Sequence, residues 1–459
     1  MILKNPFKNF TRISPIRLIV GSFLFMIIIG TILLSLPISY KNHIEAKLID
    51  TFFIATSATC VTGLSTFDTW ETWSWFGQIV LLLLIQFGGL GLIIFTTGST
   101  LIIKRKLDLR YIRLAKEYTN GNIINIKKLI YTILFMSFIC EIIGALLLCI
   151  VFIPKYGLYG IWISLFTSIS SYCNAGFDLM GIECANNSLI SYYDNLLVNI
   201  LIITLIIIGG IGFIVISDLY TKITSIVKKE HKYNLSIHST IVLKMTALLL
   251  SIGFVCFFLI EYNHTLKGMN ITNKILVSLF QSTSCRTAGF FSIPINQECE
   301  FTKIITIILM FIGASPSSTG GGIKTTTLLV LFATISSVLK GHNDTRIKKH
   351  SINKFIVYKA MTITFIAFFL ILISITLIDL IEKDKNLSML SILFEVVSAF
   401  GTVGLSTGIT SILSIPSKLI LCILMFIGRV GPISLVLALT TKHSKKMENV
   451  YPEGKVLIG

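Results

Sequence analysis

Four short glycine-centred stretches recur at nearly equal intervals along the chain. They are Val61-Thr62-Gly63-Leu64, Asn174-Ala175-Gly176-Phe177, Thr287-Ala288-Gly289-Phe290 and Thr402-Val403-Gly404-Leu405. The four glycines are separated by 113, 113 and 115 residues, so the repeat extends over the whole sequence. One short glycine pattern can arise by chance, but four at a near-constant period predict a chain built from four copies of one structural unit.

The composition of the chain places these units in a lipid bilayer. Of the 459 residues, 54% are hydrophobic and only 13% are charged. A soluble domain carries about 25% charged residues, so this chain has about half the charge that a water-facing surface needs. Apolar runs long enough to cross a bilayer recur from Leu18 to Thr441. The composition therefore excludes a soluble globular protein and predicts a polytopic membrane protein.

Each unit has the same order of segments. A first apolar span lies near residues 18–39, 129–153, 241–262 and 355–381, and a second lies near 74–103, 194–220, 303–338 and 416–441. The segment between the first span and each glycine is shorter than the about 20 residues that cross a bilayer, so we expect a re-entrant pore helix there. The predicted fold is an all-α polytopic membrane protein with four parallel repeats. Eight transmembrane helices and four re-entrant pore helices would surround a pseudo-fourfold pore.

The distribution of charge gives the orientation of these repeats, which we place at residues 18–110, 111–228, 229–345 and 346–441. The net charge is +17, and the five segments between and beside the spans that are rich in lysine and arginine hold 25 basic and 6 acidic residues. This bias follows the positive-inside rule and predicts that both termini, 1–17 and 442–459, lie in the cytoplasm of a cell-membrane protein. Because the basic residues do not form a soluble face, we expect no nucleic-acid partner.

The repeated loops have the chemistry of a cation site. Non-helical backbone at membrane depth exposes carbonyl oxygens that lipid cannot satisfy, so it must be buried in protein or line a water-filled path. Four loops around one axis would present rings of carbonyls that replace the hydration shell of a monovalent cation. Glycine permits the backbone angles and the close approach that such a ring needs. We expect the sixteen residues of the four stretches to bind potassium, mainly through backbone carbonyls, with sodium as an open alternative and no organic cofactor.

Two of the stretches differ from the others. Thr402-Val403-Gly404 matches the start of the potassium-channel filter Thr-Val-Gly-Tyr-Gly, but Ser406 stands in place of its second glycine. All four repeats lack this second glycine, which predicts a thinner filter with weaker discrimination between ions. In the second stretch, the side chain of Asn174 would either face the axis or be held by the surrounding backbone.

The span at 303–338 does not fit one straight helix. At 1.5 Å per residue it would be about 54 Å long, nearly twice the thickness of the hydrocarbon core. Pro316 and several glycines in its middle oppose a helix, so we expect a broken helix with a loop at membrane depth that faces the pore. Arg429 in the last span needs hydrogen-bond acceptors, and the carbonyls of this loop are the expected ones. Lys324 is expected to extend to the cytoplasmic interface. The residues assigned to the loop and its partner are Gly313, Ser315, Pro316, Ser318, Thr319, Gly320, Gly321, Gly322, Lys324 and Arg429.

The motifs of this chain resemble the Trk/Ktr/HKT superfamily of potassium transporters over essentially its whole length. They are 56–64 (TSATCVTGL), 86–91 (QFGGLG), 284–290 (SCRTAGF), 318–324 (STGGGIK) and 428–431 (GRVG). The sequence is most similar to the bacterial Ktr-type pore-forming subunit. This resemblance implies potassium uptake by a homodimer, a gate formed by residues 313–324 below the filter, and control by a cytosolic nucleotide-binding subunit, a KtrA-like octameric ring. The apolar chain end also predicts that Gly459 is buried at the dimer interface.

Other classes of function fit the sequence less well. Alternating-access transporters often contain inverted repeats, whereas these four repeats run parallel, which suits a central pore. A membrane enzyme would need convergent carboxylates, histidines or a nucleophile with its base, and the sequence suggests none, so we expect no enzyme. A sodium-selective or sodium-coupled cation transporter and an alternating-access transporter stay as alternatives. Two further questions stay open, namely whether Arg286 pairs with Glu395 and what Glu141 contacts in the third span.

Overall fold

The computed structural model describes residues 15–41, 46–91, 126–228, 234–347 and 350–440. These residues form fifteen helices of nine residues or more and one antiparallel strand pair, Arg346–Ile347 with His350–Ser351. The helices are α1 Pro15–Leu34, α2 Leu48–Cys60, α3 Trp75–Leu90, α4 Ile126–Tyr156, α5 Tyr159–Cys173, α6 Leu196–Ile211, α7 Phe213–Val227, α8 Ile237–Glu261, α9 Ile271–Ser284, α10 Glu300–Phe311, α11 Thr325–Leu339, α12 Lys354–Ile381, α13 Met389–Gly401, α14 Ile415–Val430 and α15 Pro432–Thr440.

Four long helices, α1, α4, α8 and α12, begin the four repeats, and we call them the leading helices. Each is apolar and long enough to cross a membrane, and no other single helix among the described residues meets both conditions. Only 22–33% of the residues in their apolar stretches are buried within the chain. Because isoleucine, leucine and phenylalanine also cover the outward faces, these helices are suited to contact with lipid.

A short pore helix follows each leading helix and packs against it. These pore helices are α2, α5, α9 and α13, with 13 to 15 residues each, which is too short to cross a bilayer. Apart from their first turns, nearly all of their side chains are buried. The repeated order of leading helix, buried pore helix and glycine stretch confirms the parallel four-repeat fold that the sequence predicts.

Among the described residues, the second spans of the second, third and fourth repeats are each divided into two helices. In the second repeat α6 and α7 meet at Gly212 with a bend of 102°, and together they are long enough for a fifth membrane span. In the fourth repeat α14 and α15 meet at Gly431, and in the first α3 ends at Gly91. All three glycines have φ between 83° and 102°, which a continuous α-helix does not contain. The apolar sequence predicts continuous spans, whereas a helix ends at each of these glycines.

The third repeat has the longest interruption. Its second span consists of α10 and α11, which are separated by residues 312–324. Ile312 and Ile323 form an isolated parallel β-bridge at the two ends of this segment, so the chain leaves and rejoins the helical path at nearly the same place. The expected break within 303–338 is therefore present, and we call residues 312–324 the intramembrane loop.

Carboxylates connect the leading and trailing parts of the last two repeats. Glu261 at the end of α8 accepts a hydrogen bond of 2.9 Å from the backbone N–H of Cys299, which precedes α10. Glu382 after α12 accepts bonds from the backbone N–H of Ser414 at 2.8 Å and the hydroxyl of Ser417 at 2.5 Å. The two acids thus fix where the second span of each repeat begins, because they bind donors at its first turn.

The boundaries between repeats that the sequence predicts, after residues 110, 228 and 345, stay predictions. Contacts between helices of different repeats, such as α14 with α2 and α3 with α5, join all the described ranges into one body. Most of the predicted cytoplasmic segment 1–17 lies outside the described residues, as does the whole of 442–459 with Gly459.

Candidate ion pathway

The four glycine stretches begin where the pore helices end. The first residue of each stretch has left-handed backbone angles, with φ of 58° at Val61, 60° at Asn174, 71° at Thr287 and 50° at Thr402. In the first repeat the N–H of Thr62 then donates to the carbonyl of Ser57 at 2.8 Å, as in a Schellman helix end, and the second and fourth repeats have the same bond. Each pore helix therefore directs the negative end of its dipole toward its glycine stretch, which favours a cation there.

The four glycines form a closed ring. Their φ values are 96°, 69°, 81° and 92° for Gly63, Gly176, Gly289 and Gly404. A Cβ atom placed on any of them would lie within 2.8 Å of a carbonyl oxygen from the next repeat. The order of contacts runs from the first repeat to the fourth and back to the first, through the carbonyls of Ala175, Ala288, Val403 and Thr62. The sequence-predicted residues therefore meet around one axis, and only glycine fits at this closeness.

The remaining residues of the four stretches hold the ring from behind. Each glycine is followed by a large apolar residue that is buried in the hydrophobic core, namely Leu64, Phe177, Phe290 and Leu405. In the first and fourth repeats the hydroxyls of Ser57 and Ser398 accept hydrogen bonds of 3.1 Å from the N–H groups of Gly63 and Gly404. Because the N–H groups are satisfied on the pore-helix side, the carbonyls remain available on the other.

A cavity of about 230 Å³ opens on one side of the ring, and we call it the vestibule. All four ring glycines line it, together with Asp68, Asp178 and several hydroxyl groups, and none of its lining residues is a lysine or arginine. Asp68 accepts hydrogen bonds from Trp70 N–H and Asn186 N–H, both at 2.8 Å, and so connects loops of the first and second repeats. The charge of this lining favours cations close to the ring.

The acid of the fourth pore helix braces its own loop. Glu395 accepts hydrogen bonds from the N–H of Thr407 at 3.1 Å and the hydroxyl of Thr410 at 2.8 Å, and also from the Ser406 hydroxyl. Arg286 is not its partner, since the ion pairs among the described residues do not include it and its Nε has no acceptor. The pairing left open by the sequence is therefore absent from this structure.

Asn174 is held by the protein and is not turned to the axis. With the amide nitrogen facing the backbone, it donates to the carbonyls of Ser171 at 3.0 Å and Ile206 at 3.2 Å. The amide oxygen then accepts a bond of 3.2 Å from the hydroxyl of Thr287 in the next repeat. Asparagine adopts left-handed angles more readily than valine or threonine, so this residue type also suits the local backbone.

The intramembrane loop lies against the ring on the side opposite the vestibule. The N–H of Gly321 donates to the hydroxyl oxygen of Thr402 at 2.9 Å, and a Cβ on Gly320 would overlap the hydroxyl of Thr287. The other edge of the loop contacts the second repeat, where Ser315 N–H donates to the Gly210 carbonyl at 3.2 Å. The loop therefore contacts the first residue of two of the four glycine stretches.

Two cationic side chains donate hydrogen bonds to the backbone carbonyls of this loop. Arg429 donates hydrogen bonds to the carbonyl of Thr319 in the loop and to the carbonyls of Gly88 and Gly89 in the first repeat, the last at 3.0 Å. Lys324 donates to the carbonyl of Gly320 at 2.5 Å. The expectation that Lys324 extends away to the interface is wrong, because the backbone turn at Gly322 places loop carbonyls within its reach.

Sequence reasoning missed a second set of repeated glycines. Gly88, Gly209 and Gly428 lie in the second spans, and a Cβ on each would overlap the backbone carbonyl of Thr59, Tyr172 or Phe400 at the end of a pore helix. The signal was present, because each of these glycines is followed three residues later by the glycine at which the helix breaks. Through these close contacts, the second-span helices α3, α6 and α14 pack against the pore-helix ends that carry the ring.

The other missed contact involves Glu141 of α4. Its carboxylate accepts hydrogen bonds of 3.0 Å from the amide of Gln86 in α3, and Gln86 in turn accepts a bond of 3.7 Å from the thiol of Cys173. This chain of contacts connects the second leading helix to the residue before Asn174. Glu141 therefore belongs to the support of the ring.

Comparison with known proteins agrees with this geometry. The family model described as TrkH, cation transport protein, matches residues 17–450. The potassium/sodium uptake protein NtpJ of Enterococcus hirae is 38% identical, with 98% of each chain covered, and the Ktr system potassium uptake protein B of Bacillus subtilis is 36% identical, with 99% of each covered. The crystal structure of the potassium transporter TrkH from Vibrio parahaemolyticus has the same fold, with a TM-score of 0.69 over 92% of this chain and 85% of that one, at 19% identity. This multi-pass membrane protein therefore belongs to the TrkH cation transport protein family.

Proposed function

We propose that this chain is the translocating subunit of a Ktr-type potassium uptake system. The observation that carries the proposal is the closed ring of four glycines, which lies at the ends of four converging pore helices. Rings of backbone carbonyls select monovalent cations because they replace water in the hydration shell. The acidic vestibule supplies cations to one side of this ring. No catalytic constellation is needed for this function, so we propose a transporter and not an enzyme.

The intramembrane loop is the proposed gate. It covers the ring on the side away from the vestibule, where Arg429 ties it to the first repeat and Lys324 bonds to carbonyls within it. Both cations would also repel a potassium ion that leaves the ring. A partner opens such a gate only if it binds the open and closed positions of the loop with different affinity.

Sodium is a second candidate ion. The Enterococcus hirae relative is named a potassium/sodium uptake protein, and each stretch here has one glycine where the potassium-channel filter has two. Fewer consecutive carbonyl rings provide fewer sites at which potassium and sodium can be distinguished. Transport of both ions, or sodium coupling, therefore falls within the proposal.

Orientation and assembly complete the proposal. The positive-inside bias of the basic segments favours a cell-membrane protein with both termini in the cytoplasm and the vestibule facing outward. By resemblance to Ktr systems, the chain forms a homodimer with Gly459 at its interface and binds a cytosolic nucleotide-binding ring. The lipid-facing leading helices provide the surface that a bilayer requires.

Growth of a potassium-uptake-deficient bacterium at low potassium tests the function. The chain should restore growth, and a co-expressed cytosolic regulatory subunit should increase the effect. Rubidium uptake measured in the same cells with and without added sodium distinguishes potassium uptake from a sodium-coupled system. Normal membrane insertion without rescue or uptake in either case would contradict the proposal.

A further inference from the structure

Three metal-binding side chains meet at the end of α8, away from the ion pathway. One ligand atom each from Glu261, His264 and Cys299 lies within 4.8 Å of the other two. The carboxylate of Glu261 is buried and its Oε2 atom is 3.2 Å from Nδ1 of His264, whose side chain is half exposed. All three residues belong to the third repeat, at the two ends of the segment that contains α9 and the third glycine stretch. The cluster therefore lies on the vestibule side of the fold and is open to solvent.

The three side chains suit a metal of the zinc class. Zinc binds thiolate, imidazole and carboxylate at about 2.0–2.3 Å, usually with tetrahedral geometry, so neighbouring ligand atoms lie roughly 3–4 Å apart. The observed separations need only a small closure to reach this range. Thiolate and imidazole disfavour magnesium and calcium, which prefer oxygen ligands. The site is also unsuited to potassium, so it is chemically distinct from the glycine ring.

The surrounding hydrogen bonds fix the carboxylate in advance. Oε1 of Glu261 accepts from the N–H of Cys299 at 2.9 Å and from the hydroxyl of Thr302 at 2.5 Å. Oε2 accepts from the hydroxyl of Thr265 at 2.8 Å and from its N–H at 3.3 Å, and it faces Nδ1 of His264. Donors of this kind orient metal ligands and raise affinity.

A second buried acid precedes the third ligand in the chain. Glu298 is adjacent to Cys299 in the chain, it is 3% exposed, and its Oε2 has no hydrogen-bond partner in the described structure. An unpaired buried carboxylate oxygen is costly unless a cation lies nearby.

We propose that Glu261, His264 and Cys299 form a binding site for one zinc-class divalent ion. The half-exposed face of His264 leaves the fourth coordination position to water. The ion would tie the end of α8 to the start of α10, the helix that leads into the intramembrane loop.

Zinc titration of the purified full-length chain, without a metal-affinity tag, tests the site. We expect one zinc ion per chain, with affinity at least about tenfold weaker in Cys299→Ser and in His264→Gln, because each removes one ligand. Cys184→Ser is the matched control, since Cys184 is an exposed cysteine outside the cluster. Unchanged zinc affinity in both ligand variants, or no binding to the native chain, would overturn the proposal.

Thiol labelling gives a test that does not depend on ligand variants. In a Cys184→Ser background, zinc should slow maleimide modification of Cys299 at least about tenfold, because a metal-bound thiolate is not a free nucleophile. Magnesium at the same concentration should not slow it. Labelling of Cys299 that is equally fast with and without zinc would overturn the site.

Discussion

The residues that open the glycine stretches adopt a backbone conformation that their type disfavours. Val61, Thr287 and Thr402 are β-branched and have positive φ, which costs about 1–3 kcal/mol at each position. All three side chains are fully buried, so packing and helix-end hydrogen bonds must hold them. The repeated glycines could be predicted from the sequence, but these three could not, because valine and threonine normally indicate a strand or a helix.

Asp50 and Lys418 form an ion pair that stabilises the fold between the first and fourth repeats. Asp50 Oδ1 in α2 lies 2.8 Å from Lys418 Nζ in α14, and both side chains are about nine-tenths buried. Lys418→Met leaves the carboxylate buried without a partner, so we expect the free energy of unfolding to fall by about 3–5 kcal/mol. Thermal unfolding of the purified chain in detergent measures this change.

Two control variants distinguish the effect of breaking the ion pair from the effect of removing a lysine side chain. Lys383→Met removes an exposed lysine and should change stability by no more than about 0.5 kcal/mol. The double variant Asp50→Asn, Lys418→Met removes both charges and should recover most of the loss. A double variant that is as unstable as Lys418→Met alone would show that unpaired charge is not the cause.

At the scale of elements, the helices of the second spans end inside stretches of sequence that stay apolar. The sequence remains apolar across Gly91, Gly212 and Gly431, so periodicity predicts continuous spans, whereas a helix ends at each of these glycines. The helix ends lie where Gly88, Gly209 and Gly428 pack against pore-helix ends, and the three-residue glycine spacing alone does not show that these distant segments meet. The intramembrane loop was predictable because Pro316 and its glycines break the helix locally.

The intramembrane loop should limit ion flux. Deletion of residues 315–321 removes the contact of Gly321 with Thr402 and the acceptor of Arg429 at Thr319, so rubidium flux into liposomes should rise severalfold. The rise should occur without any cytosolic partner, because the obstruction itself is gone.

Single variants at Arg429 refine this test. Arg429→Ala should raise flux in the same direction, while Arg429→Lys keeps the charge but not the fork of donors, and should give an intermediate flux. Lys340→Ala, at an exposed lysine after α11, is the control and should have native flux. Low flux in a correctly folded deletion variant would show that the loop is not the barrier.

At the scale of the whole molecule, the repeat determines the architecture. Four copies of one glycine stretch, each with an apolar span on both sides, were enough to predict four parallel units around a common axis. Their mutual contacts were not predictable, because the ring depends on carbonyls from neighbouring repeats that are over one hundred residues apart. The central claim is that this ring is the path of the transported ion.

Rubidium uptake by Gly404→Ala and Gly268→Ala tests that claim most directly. The two glycines have similar φ, 92° and 87°, so an added Cβ strains the backbone equally in both. A Cβ at Gly404 meets the Thr62 carbonyl in the ring, whereas a Cβ at Gly268 has no atom within 4 Å. We predict that the rubidium uptake rate falls at least about tenfold in Gly404→Ala and stays native in Gly268→Ala. Native uptake at unchanged apparent affinity in a folded Gly404→Ala protein would contradict the account.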